Sequence, residues 1–299
     1  MESPHGAPRG ISVTAEDFGL RGPRGWAFRG VRIDAEPGAL IAVEGPSGSG
    51  RTCLLLALTG RMRPTEGRAT IGRMRLPKQM AAVRGVSALG PAPGVTDLDP
   101  ALTVREQIHE RALLQRRFGG SLRSLLRPRS ERRASMRRHV DHALAAAGLD
   151  LESLPKGPRT SVRDLERLEE LRLSVALALI GEPRLLGVDD VDLKLSDAER
   201  AEAWDLLRSV AESGTTVVAV CSEAPEGAVV VSTASAGDDE DETEDETEAE
   251  AFATEVDRAE AEADDEESET DAETDETDET DETDETKGAA DAFAETGRA

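Results

Sequence analysis

Cysteines, aromatic residues and long apolar runs are all scarce in this chain, and each shortage excludes something. Only Cys53 and Cys221 occur in 299 residues. Both sit among apolar neighbours, which argues against a disulfide-built fold and fits a reduced, cytosolic protein with small buried thiols. Aromatics make up 2% of the chain, and the only one in the arginine-rich segment 105–138 is Phe118. Stacking on nucleic-acid bases therefore has little support. The longest strongly apolar run, 173–180, falls far short of the about 20 residues needed to span a bilayer. No N-terminal stretch has the apolar core of a signal peptide. If the protein works at a membrane, another chain does the spanning.

What is abundant is acid, and it is concentrated at one end. Residues 238–299 hold 31 Asp and Glu against Arg258, Lys287 and Arg298, a net charge of −28 in a chain whose total is −25. The first 237 residues carry 33 basic and 30 acidic groups and are close to neutral. Thr-Asp-Glu repeats strictly over 274–286. Such a sequence buries too little apolar surface to offset its ordering entropy, so 236–299 is expected to be a disordered acidic tail. Residues 1–10, rich in Pro and Gly, are expected to be loose as well. The 105–138 segment carries 11 Arg against three Glu. It reads as a solvated helical face or as a contact for anionic lipid or a membrane partner. The tail would either solubilise the protein or mask those arginines.

The informative stretch is 45–52, Gly-Pro-Ser-Gly-Ser-Gly-Arg-Thr. The apolar run 40–43 leads into it and a helix-like run follows. A strand that turns through glycines into a helix start points several backbone N–H groups into one concavity, with the positive end of the helix dipole behind it. Against the phosphate-loop pattern G-x-x-x-x-G-K-[ST], Gly45, Gly50 and Thr52 fit and Arg51 replaces the lysine. A glycine-rich turn without a ligand is the plain alternative; the strand–loop–helix context favours phosphate.

Further along, 11–14 and 31–35 read as short strands with a turn at 19–25, and 68–71 and 82–88 as two more. Thr103 with Glu106 forms a capping-box signature ahead of a helix, and 131–147 reads as a second helix ending at Gly148. Ser161 with Asp164 would cap a third. A strand at 184–188 ends in Asp189 and Asp190, Ser196 with Glu199 caps a helix through Val210, and 215–220 is a buried strand. Strands alternating with helices predict an α/β fold with a mostly parallel sheet and an inserted helical lobe. Carboxylates at the end of a strand belong beside a phosphate loop. There Asp189 and the Thr52 hydroxyl would hold Mg²⁺, and Asp190 would position a water.

Taken together, residues from about 11 to 232 resemble the nucleotide-binding subunit of an ATP-binding cassette (ABC) transporter. Glu36-Pro37-Gly38 followed by the loop resembles that family's first strands and Walker A motif. Leu102-Thr103-Val104-Arg105-Glu106 resembles its L-T-V-x-E-N segment, and the block from Gly181 to Asp190 its Walker B. The resemblance implies an ABC-type P-loop NTPase domain over 11–235, with a helical subdomain at about 103–172. It implies ATP and Mg²⁺ as cofactors, with Gly45, Pro46, Ser47, Gly48, Ser49, Gly50, Arg51 and Thr52 on the phosphates. Asp190 would be the catalytic base, and Phe18, or else Trp26, would stack on adenine. It also implies a separate transmembrane permease subunit and a dimer with itself or with a second nucleotide-binding subunit. The expected place is the cytoplasm, peripheral to the inner face of the membrane where such a permease lies.

The departures matter as much. No Q-loop glutamine stands near 88–90. Leu165-Glu166-Arg167-Leu168-Glu169 occupies the place of the L-S-G-G-Q signature, Asp190 that of the catalytic glutamate, and Ser222 that of the switch histidine. Arg51 keeps the charge, yet its planar fork is not a compact ammonium. A base drawn back by about 1 Å loses roughly 10²-fold, and a lost transition-state donor about 10²–10³-fold. Nucleotide binding with impaired turnover is the expectation. His139 and His142, three apart with Asp141 nearby, lack a third converging ligand and read as an exposed basic helix. Trp204 reads as a packing residue.

Overall fold

The computed structural model describes residues 10–23, 25–118 and 129–233. The acidic tail, and all but Gly10 of the expected loose N-terminus, lie outside them. Nine strands and six α-helices run in the order β1 (Val13–Gly22), β2 (Gly25–Ala35), β3 (Leu40–Glu44), α1 (Arg51–Leu58), β4 (Glu66–Ile71), β5 (Met74–Leu76), α2 (Met80–Arg84), β6 (Ser87–Leu89), α3 (Val104–Phe118), α4 (Arg129–Ala146), α5 (Arg167–Leu179), β7 (Leu185–Val188), α6 (Asp197–Glu212), β8 (Thr216–Cys221) and β9 (Val229–Ser232) among the described residues.

Two sheets form. The larger, ordered β6-β7-β8-β3-β9, is parallel throughout. Its inner strands are apolar on both faces, as a sheet covered on both sides requires. β3 shows the division. Ile41 and Val43 pack toward α1 and the second sheet, while Leu40 and Ala42 pack toward α5 and α6. On β8, Val218 and Val220 share the first core and Val217, Ala219 and Cys221 the second. The smaller sheet, ordered β2-β1-β4-β5, is antiparallel and closes the α1 side. A third core unites α3, α4 and the outer face of α5 through Val104, Ala143, Leu173, Leu177 and Ile180. This is the helical lobe inserted between β6 and β7. Buried on both faces, α5 ties the lobe to the sheet.

Three local expectations are corrected. The region 19–25 is not a broad turn. β1 runs on through Gly19 to Gly22 and pairs with β2 across several register shifts, with Asp17 at φ 46 where the strand bulges. The segment 82–88 is not one strand but the end of α2, then β6. Ser161 does not cap the third helix. It forms a bridge with Thr103, and the Val162 N–H donates to the Leu102 carbonyl at 2.9 Å. Only a single 3-10 turn, Val162–Asp164, follows Ser161, whose side chain makes no cap bond, and α5 starts later under a capping box joining Glu166 and Glu169. The two other predicted boxes form. The Glu106 carboxylate accepts from the Thr103 N–H at 2.8 Å and Glu199 from the Ser196 N–H at 2.8 Å.

Candidate functional site

The loop between β3 and α1 is shaped by contacts on both sides. Gly50, the residue before α1, has φ 78 and lies so close to β2 that a Cβ there would stand 1.8 Å from the Ala27 carbonyl oxygen. Only glycine fits. Gly45 is bare for a similar reason: a Cβ would meet Thr233 Oγ1 at 2.5 Å and Ser49 Oγ at 2.7 Å. From Gly50 the chain enters α1, whose Leu54–Leu58 stretch is buried, so the helix start is fixed in the core with its first N–H groups turned to the loop.

Residues 137 apart then converge. The Thr52 hydroxyl donates to Asp189 Oδ2 at 2.8 Å, and the Asp190 N–H donates to Asp189 Oδ1 at 3.1 Å. Asp189 is 1% exposed. Burial pushes its carboxyl up to about 6, the neighbouring Asp190 charge adds to this, and the Thr52 hydrogen bond opposes it. Asp190 holds the left-handed conformation, φ 45. For a non-glycine residue this is a strained placement at the end of a site-bearing strand.

Arg51 does not extend over the loop. Its guanidinium Nη1 donates to the Cys221 carbonyl at 2.7 Å, at the end of β8. Next along, the Ser222 N–H donates to Asp192 at 2.8 Å and the Ala224 N–H to Glu44 at 3.3 Å. The turn carrying Ser222 is thus fixed beside the loop. Cys221 is fully buried, and burial, with help from Asp192 and Glu44, raises its thiol to about 12. Burial first, then the Asp189 charge, raises the Cys53 thiol. Neither is a reactive thiolate, in keeping with the packing role expected of both.

The aromatic assignment changes. Phe18 is 0% exposed and packs against Phe28 with ring centroids 5.7 Å apart, so no face is open to a base. Trp26, half-buried, is the residue before Ala27, whose carbonyl abuts Gly50. Arg29 lies over its ring at 4.8 Å and Arg21 at 5.6 Å. His139, half-buried, and His142, exposed, lie on α4. An open pocket of about 470 Å³ is lined by Thr103, Arg105, Glu106, His109 and Arg159, none of them a loop residue. One contributor was not legible beforehand: Thr233, 184 residues beyond Ser49 and hydrogen-bonded to it at 2.6 Å. A hydroxyl after the apolar run 229–231 is no signal in itself.

Known proteins share both the sequence and the shape. Residues 28–192 match the family described as ABC transporter. The chain is 29% identical over 217 residues to ATP-binding cassette sub-family A member 7 of Rattus norvegicus, covering 73% of this chain and 9% of that protein. It is 26% identical over 182 residues to the Nod factor export ATP-binding protein I of Rhizobium etli, covering 61% and 51%. It thus spans about half the length of one curated relative and under a tenth of the other. A dimeric ATP-binding cassette solved in a post-hydrolysis state with ADP and phosphate superposes with TM-score 0.54 at 21% identity, over 71% of this chain and 88% of that one. The cbiO1 protein of Clostridium perfringens, part of an ABC transporter complex, gives 0.55 at 19%, over 71% and 78%. Among the described residues no helix is long and apolar enough to cross a membrane. With the fold, the loop and the matched stretch in agreement, this chain belongs to the ABC transporter family and carries its nucleotide-binding domain.

Proposed function

We propose that the chain is the ATP-binding subunit of an ABC-type transport system, one that binds Mg-ATP at residues 45–52 and turns it over slowly. The observation that carries this is the Thr52–Asp189 hydrogen bond, which sets a hydroxyl and a carboxylate side by side at the mouth of an amide-lined loop. Two oxygen donors of this kind suit a hard divalent cation that takes its remaining ligands from phosphates and water. When bound, Mg²⁺ neutralises charge on the β- and γ-phosphate oxygens. The backbone of Gly45, Pro46, Ser47, Gly48, Ser49 and Gly50 wraps the phosphates, and Arg51 reaches them after leaving the Cys221 carbonyl. Trp26, in place of Phe18, offers a ring to the base. Asp190 positions the water.

Slow turnover follows from the same residues. Asp190 is one methylene shorter than glutamate. The start of α5 is closed by its own Glu166–Glu169 box and offers carboxylates where a γ-phosphate needs donors. A second nucleotide-binding subunit with an intact signature would complete the site, beside a separate transmembrane permease. The helical lobe, about 103–172, with its arginines is the face for that membrane partner, which would hold the protein at the inner membrane surface. The Glu166–Glu169 closure and the docked Arg51 also suit a second reading, a nucleotide-responsive regulatory or scaffolding protein with little or no ATPase activity. Co-purification of a permease chain separates the two.

The test is a titration with MgATP and MgADP, with phosphate release measured in parallel, on wild type and Arg51→Ala. Saturable binding that weakens in the variant, with slow release, is expected. Absence of binding overturns the reading; release at ordinary transporter rates that Asp190→Asn abolishes overturns its slow-turnover part.

A further inference from the structure

The geometry points to Thr233 as a positioning residue that staples the two ends of the phosphate loop together, an inference that rests on the loop's being the nucleotide site. Thr233 follows β9 directly and is 2% exposed. Its N–H donates to the Glu44 carbonyl at 3.0 Å, the last peptide before the loop. Its hydroxyl lies 3.3 Å from the same carbonyl and 2.6 Å from Ser49 Oγ, near the loop's other end. A threonine hydroxyl has one proton to give. Donated to Glu44, it leaves Ser49 as the donor in the shorter contact. The chain of bonds then runs from Ser49 through Thr233 to Glu44 and bridges the loop's mouth. The hydroxyl pair also packs against Gly45, where a Cβ would meet both oxygens under 3 Å.

This staple sets the loop's width. The loop's ends belong to β3 and α1, both anchored in the core, but the peptides between them have one internal backbone bond among those described, from the Ser49 N–H to the Pro46 carbonyl at 3.2 Å. Phosphate recognition by N–H groups depends on their converging on one point. Ser49 Oγ is held by Thr233, and the loop's amides are the groups left to converge on the anion.

Four variants test the role: Thr233→Val, which keeps the shape and removes the hydroxyl, Thr233→Ser, Ser49→Ala, and the double Ser49→Ala/Thr233→Val. Calorimetric titration with MgATP and with tripolyphosphate is paired with amide hydrogen exchange over 45–52 in nucleotide-free protein. Loss of one buried hydrogen-bonded link predicts a Kd about tenfold higher in Thr233→Val and faster exchange in the loop. Thr233→Ser returns to within about threefold, and the double variant is no weaker than Thr233→Val, because that substitution already removes the Ser49–Thr233 bond. Wild-type affinity and exchange in Thr233→Val overturn the staple, as does additivity in the double variant. Failure of the wild type to bind either probe overturns the nucleotide reading instead. The exchange comparison still decides in that case whether Thr233 fixes the loop, since an unchanged loop refutes the staple outright.

Discussion

Asp189→Asn should make the nucleotide-free protein more stable at neutral pH while removing its response to Mg-nucleotide. In the folded chain the Asp189 carboxyl is raised from 3.8 to about 6 by burial and by Asp190. Each unit is about 1.4 kcal/mol, so holding the group ionised above pH 6 costs the folded state about 3 kcal/mol. Between about pH 4 and 6 the folded state binds more protons than the unfolded one. The contribution of Asp189 to stability therefore falls as pH rises through that window and is level above it. Asparagine carries no such penalty. It keeps one acceptor for the Thr52 hydroxyl and loses the one facing the Asp190 N–H, a loss of about 1 kcal/mol. The net gain is about 2 kcal/mol, or roughly 4–8 °C in Tm for a domain of this size. Thermal unfolding in EDTA at pH 7.5 and at pH 4 measures it. The gain should be present at 7.5 and absent at 4, and added MgATP should raise Tm in the wild type alone. A variant less stable than wild type at pH 7.5, or equally favoured at both pH values, refutes the reasoning.

Other substitutions probe separate links. Arg51→Ala should weaken MgATP binding about 10–100-fold, the scale of a charged hydrogen bond, as read by calorimetry. Gly50→Ala meets both a positive φ and the Ala27 carbonyl at 1.8 Å; it should abolish nucleotide binding and lower stability by over about 2 kcal/mol in chemical denaturation. Ser196→Ala removes the α6 cap and should destabilise by about 1 kcal/mol, with the nucleotide Kd unchanged.

The site was more legible in the sequence than its surroundings. A glycine-spaced loop between an apolar strand and a helix has one strong physical reading, and Asp189 at the end of a second apolar strand follows from it. Short-range capping boxes at Thr103 and Ser196 were equally plain. Ser161 shows why the same signal fails elsewhere. Its pairing with Thr103, 58 residues away, outweighed its local preference, and Glu166 took the cap. Gly19 and Gly22 looked like turn residues, yet pairing of β1 with both β2 and β4 drew them into a strand. The resemblance puts Phe18 on adenine, yet the pairing of β1 with β2 buries it against Phe28, a contact that no local pattern announces. Arg51's partner is a backbone carbonyl, which no side-chain pattern announces.

Thr233 also marks where experiments on the acidic segment have to begin. A chain shortened just after it still contains both partners of the Ser49 and Glu44 contacts. A shorter product lacking that one threonine would unfasten the nucleotide pocket, and its weak binding would be blamed on missing negative charge. Choice of the final residue in a shortened chain therefore decides what any such measurement means.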